Sequence, residues 1–125
     1  MLETTVERRV VLSGEEKARV AAMAAEDGKA TEIIVLDVRD ISNVTDYFVL
    51  CTASSHNHVR SLGKRVEDLM ETAGIKALHV DGRNVTDWLV FDYGDVIVHA
   101  MTGDIRDHYD MERLWGDAPR MAWAS

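Results

Sequence analysis

The most informative pattern of apolar and polar positions runs through residues 87–101, DWLVFDYGDVIVHAM. Aromatic and β-branched residues fill both arms of this stretch and Gly94 marks a turn, so the pattern predicts two antiparallel strands. With Tyr93 and Gly94 as the loop, Asp92 faces Asp95 and Trp88 faces His99. Because side chains alternate along a strand, one face of the hairpin is then wholly apolar. Its members are Leu89, Phe91, Val96 and Val98.

The opposite face of this hairpin mixes aromatic, acidic and aliphatic side chains: Trp88, Val90, Asp92, Asp95, Ile97 and His99. Like charges directly opposite each other, such as Asp92 and Asp95 here, destabilise a strand pair, whereas a cationic partner would be attracted to them. Two interpretations stay open. The face is either a second packed layer beneath a helix, or a partner surface, since Trp and Tyr beside charges are typical of binding hot spots.

The rest of the chain predicts helices and buried strands. Ser13 and Glu16 form a capping-box pattern before an alanine-rich helix that ends at Gly28. Continuous apolar runs at 33–38 and 47–52 are typical of strands covered on both faces. The other predicted elements are a helix from Ser54 or Ser55 to Gly74, a strand at 77–80, the hairpin, and a helix opened by Thr102-Gly103-Asp104 and ended by Gly116.

This order of elements predicts an α/β (α+β) fold, a mixed five-stranded sheet flanked by helices. At 125 residues, with 46% apolar and 29% charged residues, the chain is expected to fold as one globular domain, 1–125. The core covers about residues 13–119, and residues 1–12 form an N-terminal arm.

The charge balance narrows the class of partner. Fourteen basic and 22 acidic residues give a net charge of −8, which disfavours nucleic-acid binding and favours a basic protein. The single Cys51 excludes an internal disulfide and suits a reducing compartment. No signal peptide or membrane-length apolar run is present, so the cytoplasm is the expected location.

Several residues suggest catalysis without forming a complete motif. Asp37, Asp40 and Asp46 lie at strand ends, where carboxylates hold Mg²⁺ for nucleotidyl or phosphoryl transfer, and the helix start at 54–55 would bind an anion. Turn and capping roles explain these residue types better. His56 and His58 lack further ligands for zinc, and Cys51 lies inside an apolar strand. A metal-dependent transferase is therefore the alternative function, and a homodimeric scaffold is a third.

Three blocks of the sequence resemble the signatures of one known family: 45–55 (TDYFVLCTASS), 87–99 (DWLVFDYGDVIVH) and 106–118 (RDHYDMERLWGDA). The chain is similar, over roughly Glu15 to Pro119, to the ribosomal silencing factor family, also called Iojap-like or RsfS. Ala53 stands where the family usually carries Gly.

The resemblance implies a nucleotidyltransferase-like fold without catalytic carboxylates, and so a protein that is not an enzyme and needs no cofactor or metal. It implies binding to the large ribosomal subunit through ribosomal protein L-fourteen, which blocks joining of the small subunit and represses translation. A homodimer of the free protein is also expected. The partner-binding residues that the resemblance implies are Trp88, Asp92, Asp95, His99, Arg106 and Tyr109.

Overall fold

A computed structural model describes residues 12–83 and 87–124. The predicted arm therefore lies outside the described residues except for Leu12, whose side chain packs against the core. The elements in chain order are α1 (Gly14–Asp27), β1 (Thr31–Asp37), β2 (Tyr47–Ala53), α2 (His56–Thr72), β3 (His79–Asp81), β4 (Trp88–Asp92), β5 (Val96–Thr102), α3 (Gly103–Tyr109), α4 (Met111–Leu114) and β6 (Arg120–Met121).

The strands form one mixed sheet in the order β3-β4-β5-β2-β1-β6. Strands β2 and β5 are parallel, and every other neighbouring pair is antiparallel. The predicted mixed α+β architecture is thus confirmed, with six strands among the described residues instead of five. The additional strand, β6, pairs through only Arg120 and Met121 with β1. Two residues cannot show a period of apolar positions, so the sequence did not predict it.

Helices cover both faces of the sheet. Helices α1 and α2 enclose the larger core with the inward side chains of β4 and β5, which include Leu89, Phe91, Val96 and Val98 as predicted. On the other face, a smaller cluster joins strand residues to Ile105 and Trp115, near the C-terminus. The interpretation of the hairpin's mixed face as a packed layer is therefore right for part of that face, and the rest of the face remains accessible.

The capping signals predict the helix boundaries well. The Ser13 hydroxyl accepts from the Glu16 N–H while the Glu16 carboxylate accepts from the Ser13 N–H, which is the reciprocal pair that the pattern predicts. Helix α2 begins after Ser55, whose hydroxyl accepts from the His58 N–H. The predicted last helix is interrupted at Asp110, where φ is 46°, and this break separates α3 from α4.

The predicted register of the hairpin is wrong by two residues. Asp92 pairs with Ile97 and Trp88 pairs with Met101, so the two acids do not face each other. The loop is Gly94-Asp95, because Gly94 has a φ of 89° and a tight two-residue turn favours glycine at its first loop position. A shift of two residues leaves every side chain on the same face, so the prediction of the two faces is unaffected.

Candidate functional site

The structure divides the six predicted partner-binding residues between two ends of the sheet. Trp88 begins β4 and Asp92 ends it, so about 13 Å separates them along the strand. His99 pairs with Val90 near the Trp88 end, and Arg106 and Tyr109 follow on α3 beyond the end of β5. Trp88, His99, Arg106 and Tyr109 thus share one end. Asp92 and Asp95 lie at the other end, beside the hairpin turn.

Three ring side chains organise the first end. The Trp88 indole Nε1 donates a hydrogen bond to His99 Nδ1 at 3.1 Å. The rings of Trp88 and Tyr109 lie 4.8 Å apart between centroids, a tilted contact. Trp88 is half-buried and packs against the smaller core, whereas Tyr109 is 52% exposed. The pair therefore presents a rigid aromatic surface with one free side.

His99 is a buried support for this surface. Only 8% of His99 is exposed to solvent. Burial lowers the pKa of His99 to about 4, because the interior disfavours the charged ring. Since Nδ1 accepts from the indole, the ring proton of the neutral form resides on Nε2. His99 orients Trp88 instead of offering a charge to a partner.

An open cleft of about 420 Å³ lies in front of the aromatic pair. We call it the aromatic cleft; its lining residues are Asp81, Gly82, Asp87, Trp88, Val90, Ile105 and Tyr109. Asp81 and Asp87 are its acidic groups, and neither is among the residues predicted to bind a partner. Asp87 could have been predicted as a site residue, because it directly precedes Trp88 in the sequence. Asp81 reaches the cleft only through the pairing of β3 with β4, where it lies opposite Val90.

The two acids of the hairpin turn have partners within the chain. The Asp92 Oδ1 accepts from the Gly94 N–H at 2.8 Å and so helps to form the turn. The Asp95 carboxylate accepts from Lys17 Nζ at 3.2 Å and joins the turn to α1. Both carboxylates stay partly accessible, but neither belongs to the aromatic cleft.

Arg106 is interior. Only 3% of the residue is exposed, and its guanidinium donates to the Glu32 carbonyl at 2.6 Å and to the Thr52 hydroxyl at 2.8 Å. It also forms a two-pronged ion pair with Glu112 at 3.0 and 3.1 Å. The hydrogen bonds from Arg106 lower the pKa of Glu112. Arg106 therefore fixes α3 and α4 against the sheet. Glu112 lies six residues after Arg106 and can reach its guanidinium because the helix breaks at Asp110.

Three of the residues considered for catalysis, Asp37, Cys51 and His58, are paired or buried within the fold. The Asp37 carboxylate accepts from the Arg39 guanidinium at 2.7 and 2.9 Å, and these bonds lower the pKa of Asp37. Burial raises the pKa of the Cys51 thiol to about 12. His58 accepts from the Ser54 N–H and bonds the Gly28 carbonyl, both at 2.8 Å, which ties α2 to the end of α1. Within 12–83 and 87–124 we find no group of three or more His, Cys, Asp or Glu side chains arranged to hold a metal ion.

None of the helices that the structure describes has the length and apolar character to cross a membrane.

Comparison with known proteins completes the description of the site. The sequence matches the family described as "Ribosomal silencing factor during starvation" over residues 12–125. It is 38% identical over 101 residues to "Ribosomal silencing factor RsfS" of Bacillus subtilis, covering 81% of this chain and 86% of that protein. A crystal structure of a Chromobacterium violaceum protein superposes with a TM-score of 0.81 at 31% identity, covering 91% of this chain and 94% of the other.

A more distant relative is the mouse "Mitochondrial assembly of ribosomal large subunit protein 1", which is 27% identical over 89 residues, 69% of this chain and 39% of that protein. The family match extends over all of the described residues and so includes both the aromatic cleft and the Arg106 network. On this evidence the chain belongs to the ribosomal silencing factor family.

Proposed function

We propose that this protein binds the large ribosomal subunit through ribosomal protein L-fourteen and blocks association with the small subunit. It acts by occupying a surface that the small subunit needs, so it represses translation without catalysing a reaction. We also propose that it acts in the cytoplasm and needs no cofactor. Family membership supports the proposal, as does the name of the mouse relative, which refers to the large subunit.

The observation that carries the proposal is the aromatic cleft. Trp88 and Tyr109 supply large, ordered ring surfaces, and Asp81 and Asp87 supply negative charge beside them. Aromatic side chains held in place dominate the binding energy of many interfaces, because little side-chain entropy remains to be lost. A basic protein would gain long-range attraction from the net charge of −8 and would pair with the two acids on contact.

We also propose a revised set of contact residues, chosen by their position at the aromatic cleft. We assign Trp88 and Tyr109 as direct contacts, and His99 and Arg106 as positioning residues that hold them. Asp81 and Asp87 replace Asp92 and Asp95 as the acids proposed to meet the partner in the cleft, because they line it.

The test uses purified ribosomal subunits. The protein is expected to co-sediment with large subunits and not with small subunits. When it is added to large subunits before small subunits, formation of whole ribosomes should fall in proportion to occupancy. Purified L-fourteen should bind directly and compete with large subunits. Co-sedimentation without any effect on subunit joining would contradict the proposed mechanism, and binding that excess L-fourteen does not compete would contradict the proposed partner.

The oligomeric state of the free protein belongs to the same proposal. The family resemblance implies a homodimer when no ribosome is present. Sedimentation equilibrium at low and high protein concentration measures this directly, and a constant monomer mass at both would contradict it.

A further inference from the structure

A second cleft, of about 360 Å³, lies between α2 and β4. We call it the basic cleft; it is lined by Arg60, Gly63, Lys64, Glu67, Arg83, Leu89 and Phe91. Three cationic side chains and one carboxylate give it a local charge of +2, in a chain whose net charge is −8. The local charge is opposite in sign to the net charge, so the overall charge does not describe what binds here.

Two of the three cations of the basic cleft, those on α2, are accessible to a ligand. Arg60 and Lys64 are exposed and lie one turn apart on the same face of α2. Arg60 forms no ion pair with any residue that the structure describes. Lys64 pairs with Asp68 at 3.3 Å, a contact between exposed side chains that contributes little to stability and that a phosphate would readily replace.

The cleft has fixed walls. Gly63 lets α2 lie directly on β4, since a Cβ at this position would stand 2.5 Å from the Leu89 Cδ1. On the opposite wall, Arg83 donates to Glu67 at 2.8 Å, which holds the guanidinium over the opening. A ligand therefore meets a rigid wall and one guanidinium, that of Arg83, that the fold has already placed.

The basic cleft and the aromatic cleft flank the same strand. Leu89 and Phe91 border the basic cleft, and their neighbours Trp88 and Val90 border the aromatic cleft on the other face of β4. Gly82 and Arg83, adjacent in the chain, each line one of the two. The β3–β4 edge of the sheet thus carries an acidic, aromatic surface on one face and a basic surface on the other.

From this juxtaposition we infer that the basic cleft binds phosphate groups of large-subunit ribosomal RNA while the aromatic cleft holds a basic protein. The inference rests on the proposed function. A basic protein would meet the net positive charge of this cleft with like charge, whereas the RNA backbone presents the opposite charge. Phosphate contacts of this kind position a protein without reading sequence.

The experiment compares two double variants of equal net charge. In Arg60→Gln/Lys64→Gln the basic cleft loses two cations. In the control, Lys29→Gln/Arg120→Gln, two exposed cations are lost from the α1–β1 connection and from β6, at the far edge of the sheet. Affinity for purified large subunits is measured between 50 and 200 mM salt. Because each lost phosphate contact flattens the salt dependence, wild type and control should lose about tenfold more affinity over this range than the cleft variant.

Two further measurements identify the source of the phosphate. Binding to purified L-fourteen should be the same for both variants and wild type, and inorganic phosphate or ATP should leave the melting temperature of the wild type unchanged. Equal salt dependence of the two variants, with wild-type binding intact, overturns this inference alone. Saturable stabilisation by ATP that the cleft variant lacks, together with unchanged subunit binding, assigns the cleft to a free nucleotide and also overturns it. If wild type does not bind large subunits, both this inference and the proposed function fail.

Discussion

Trp88 and His99 form a hydrogen-bonded pair in which the indole N–H donates to a histidine nitrogen held neutral by burial. The pair joins β4 to β5 on the face that carries the aromatic cleft. An exposed tryptophan would have to give up rotational freedom on binding. This one has already lost it, because the histidine, the smaller core and Tyr109 restrain the ring.

Tyr109→Ala tests the aromatic cleft with the least disturbance to folding, since Tyr109 is 52% exposed. Loss of a hot-spot aromatic costs about 2 kcal/mol, so affinity for large subunits should fall about thirtyfold. The free energy of unfolding should change by less than about 1 kcal/mol. Val44→Ala is the control, because Val44 is an exposed apolar residue, 77% accessible, in the connection before β2. An equal loss of affinity in both variants, or a loss in Val44→Ala alone, would remove the assignment.

His99 predicts a specific dependence of stability on pH. Its pKa is about 4 in the folded protein and about 6.5 when unfolded, so the unfolded state binds more protons between these values. The free energy of unfolding therefore falls as pH is lowered from 6.5 to 4, by about 3 kcal/mol from this residue, and this residue contributes no further loss below pH 4.

The comparison for this measurement is His99→Asn, whose amide oxygen can still accept from the Trp88 indole but does not titrate. Carboxylates whose pKa is lowered, such as those of Asp37 and Glu112, titrate in both proteins and cancel in the difference. Urea denaturation at pH 7, 5.5 and 4 should show the wild type losing about 3 kcal/mol more than the variant. Parallel curves for the two proteins would contradict a buried neutral histidine.

Glu112→Gln and Asp68→Asn compare a buried ion pair with an exposed one. The Arg106 side chain is 4% accessible and that of Glu112 is 30%, whereas Lys64 and Asp68 are 77% and 52% accessible. Removing the Glu112 charge leaves a buried guanidinium without its counter-ion, at a cost of about 2–3 kcal/mol, since glutamine keeps an acceptor oxygen. Asp68→Asn should cost less than about 0.5 kcal/mol in the same urea titration. Similar costs for both would mean that Arg106 does not anchor α3 and α4.

Gly82→Ala tests the wall of the aromatic cleft. Gly82 has a φ of 92°, and a Cβ there would lie 2.1 Å from the Trp88 carbonyl oxygen, so the backbone must move. Gly74 has a similar φ of 85° with nothing within 4 Å of its Cβ position, so Gly74→Ala measures the cost of the backbone conformation alone, about 1 kcal/mol. Gly82→Ala should cost at least about 1 kcal/mol more and should also weaken binding to large subunits. Equal free energies of unfolding for Gly82→Ala and Gly74→Ala would show that the backbone around Trp88 moves aside without a free-energy cost.

Local signals predicted much of the fold because they act between residues close in sequence. The Ser13 and Glu16 pair, the alternation along 88–98 and the apolar runs of β1 and β2 each report on their own segment. The hairpin register was wrong because the choice between Tyr93-Gly94 and Gly94-Asp95 as the loop depends on backbone angles at a single glycine. The prediction of the two faces was right because the two registers differ by two residues, which leaves every side chain on the same face.

Local sequence patterns were sufficient to predict the family, the mixed sheet, the two faces of the hairpin and the acidic net charge. Which of the predicted site residues are exposed and which are interior depended on how distant segments pack together. Arg106 is buried because Glu32, Thr52 and Glu112 converge on it from three segments, and Asp81 lines the same cleft as Trp88 because β3 pairs with β4. Arg60 and Lys64 form a basic cleft only because α2 packs beside Arg83. These relationships depend on distances between segments far apart in the chain, and neither composition nor periodicity contains such distances.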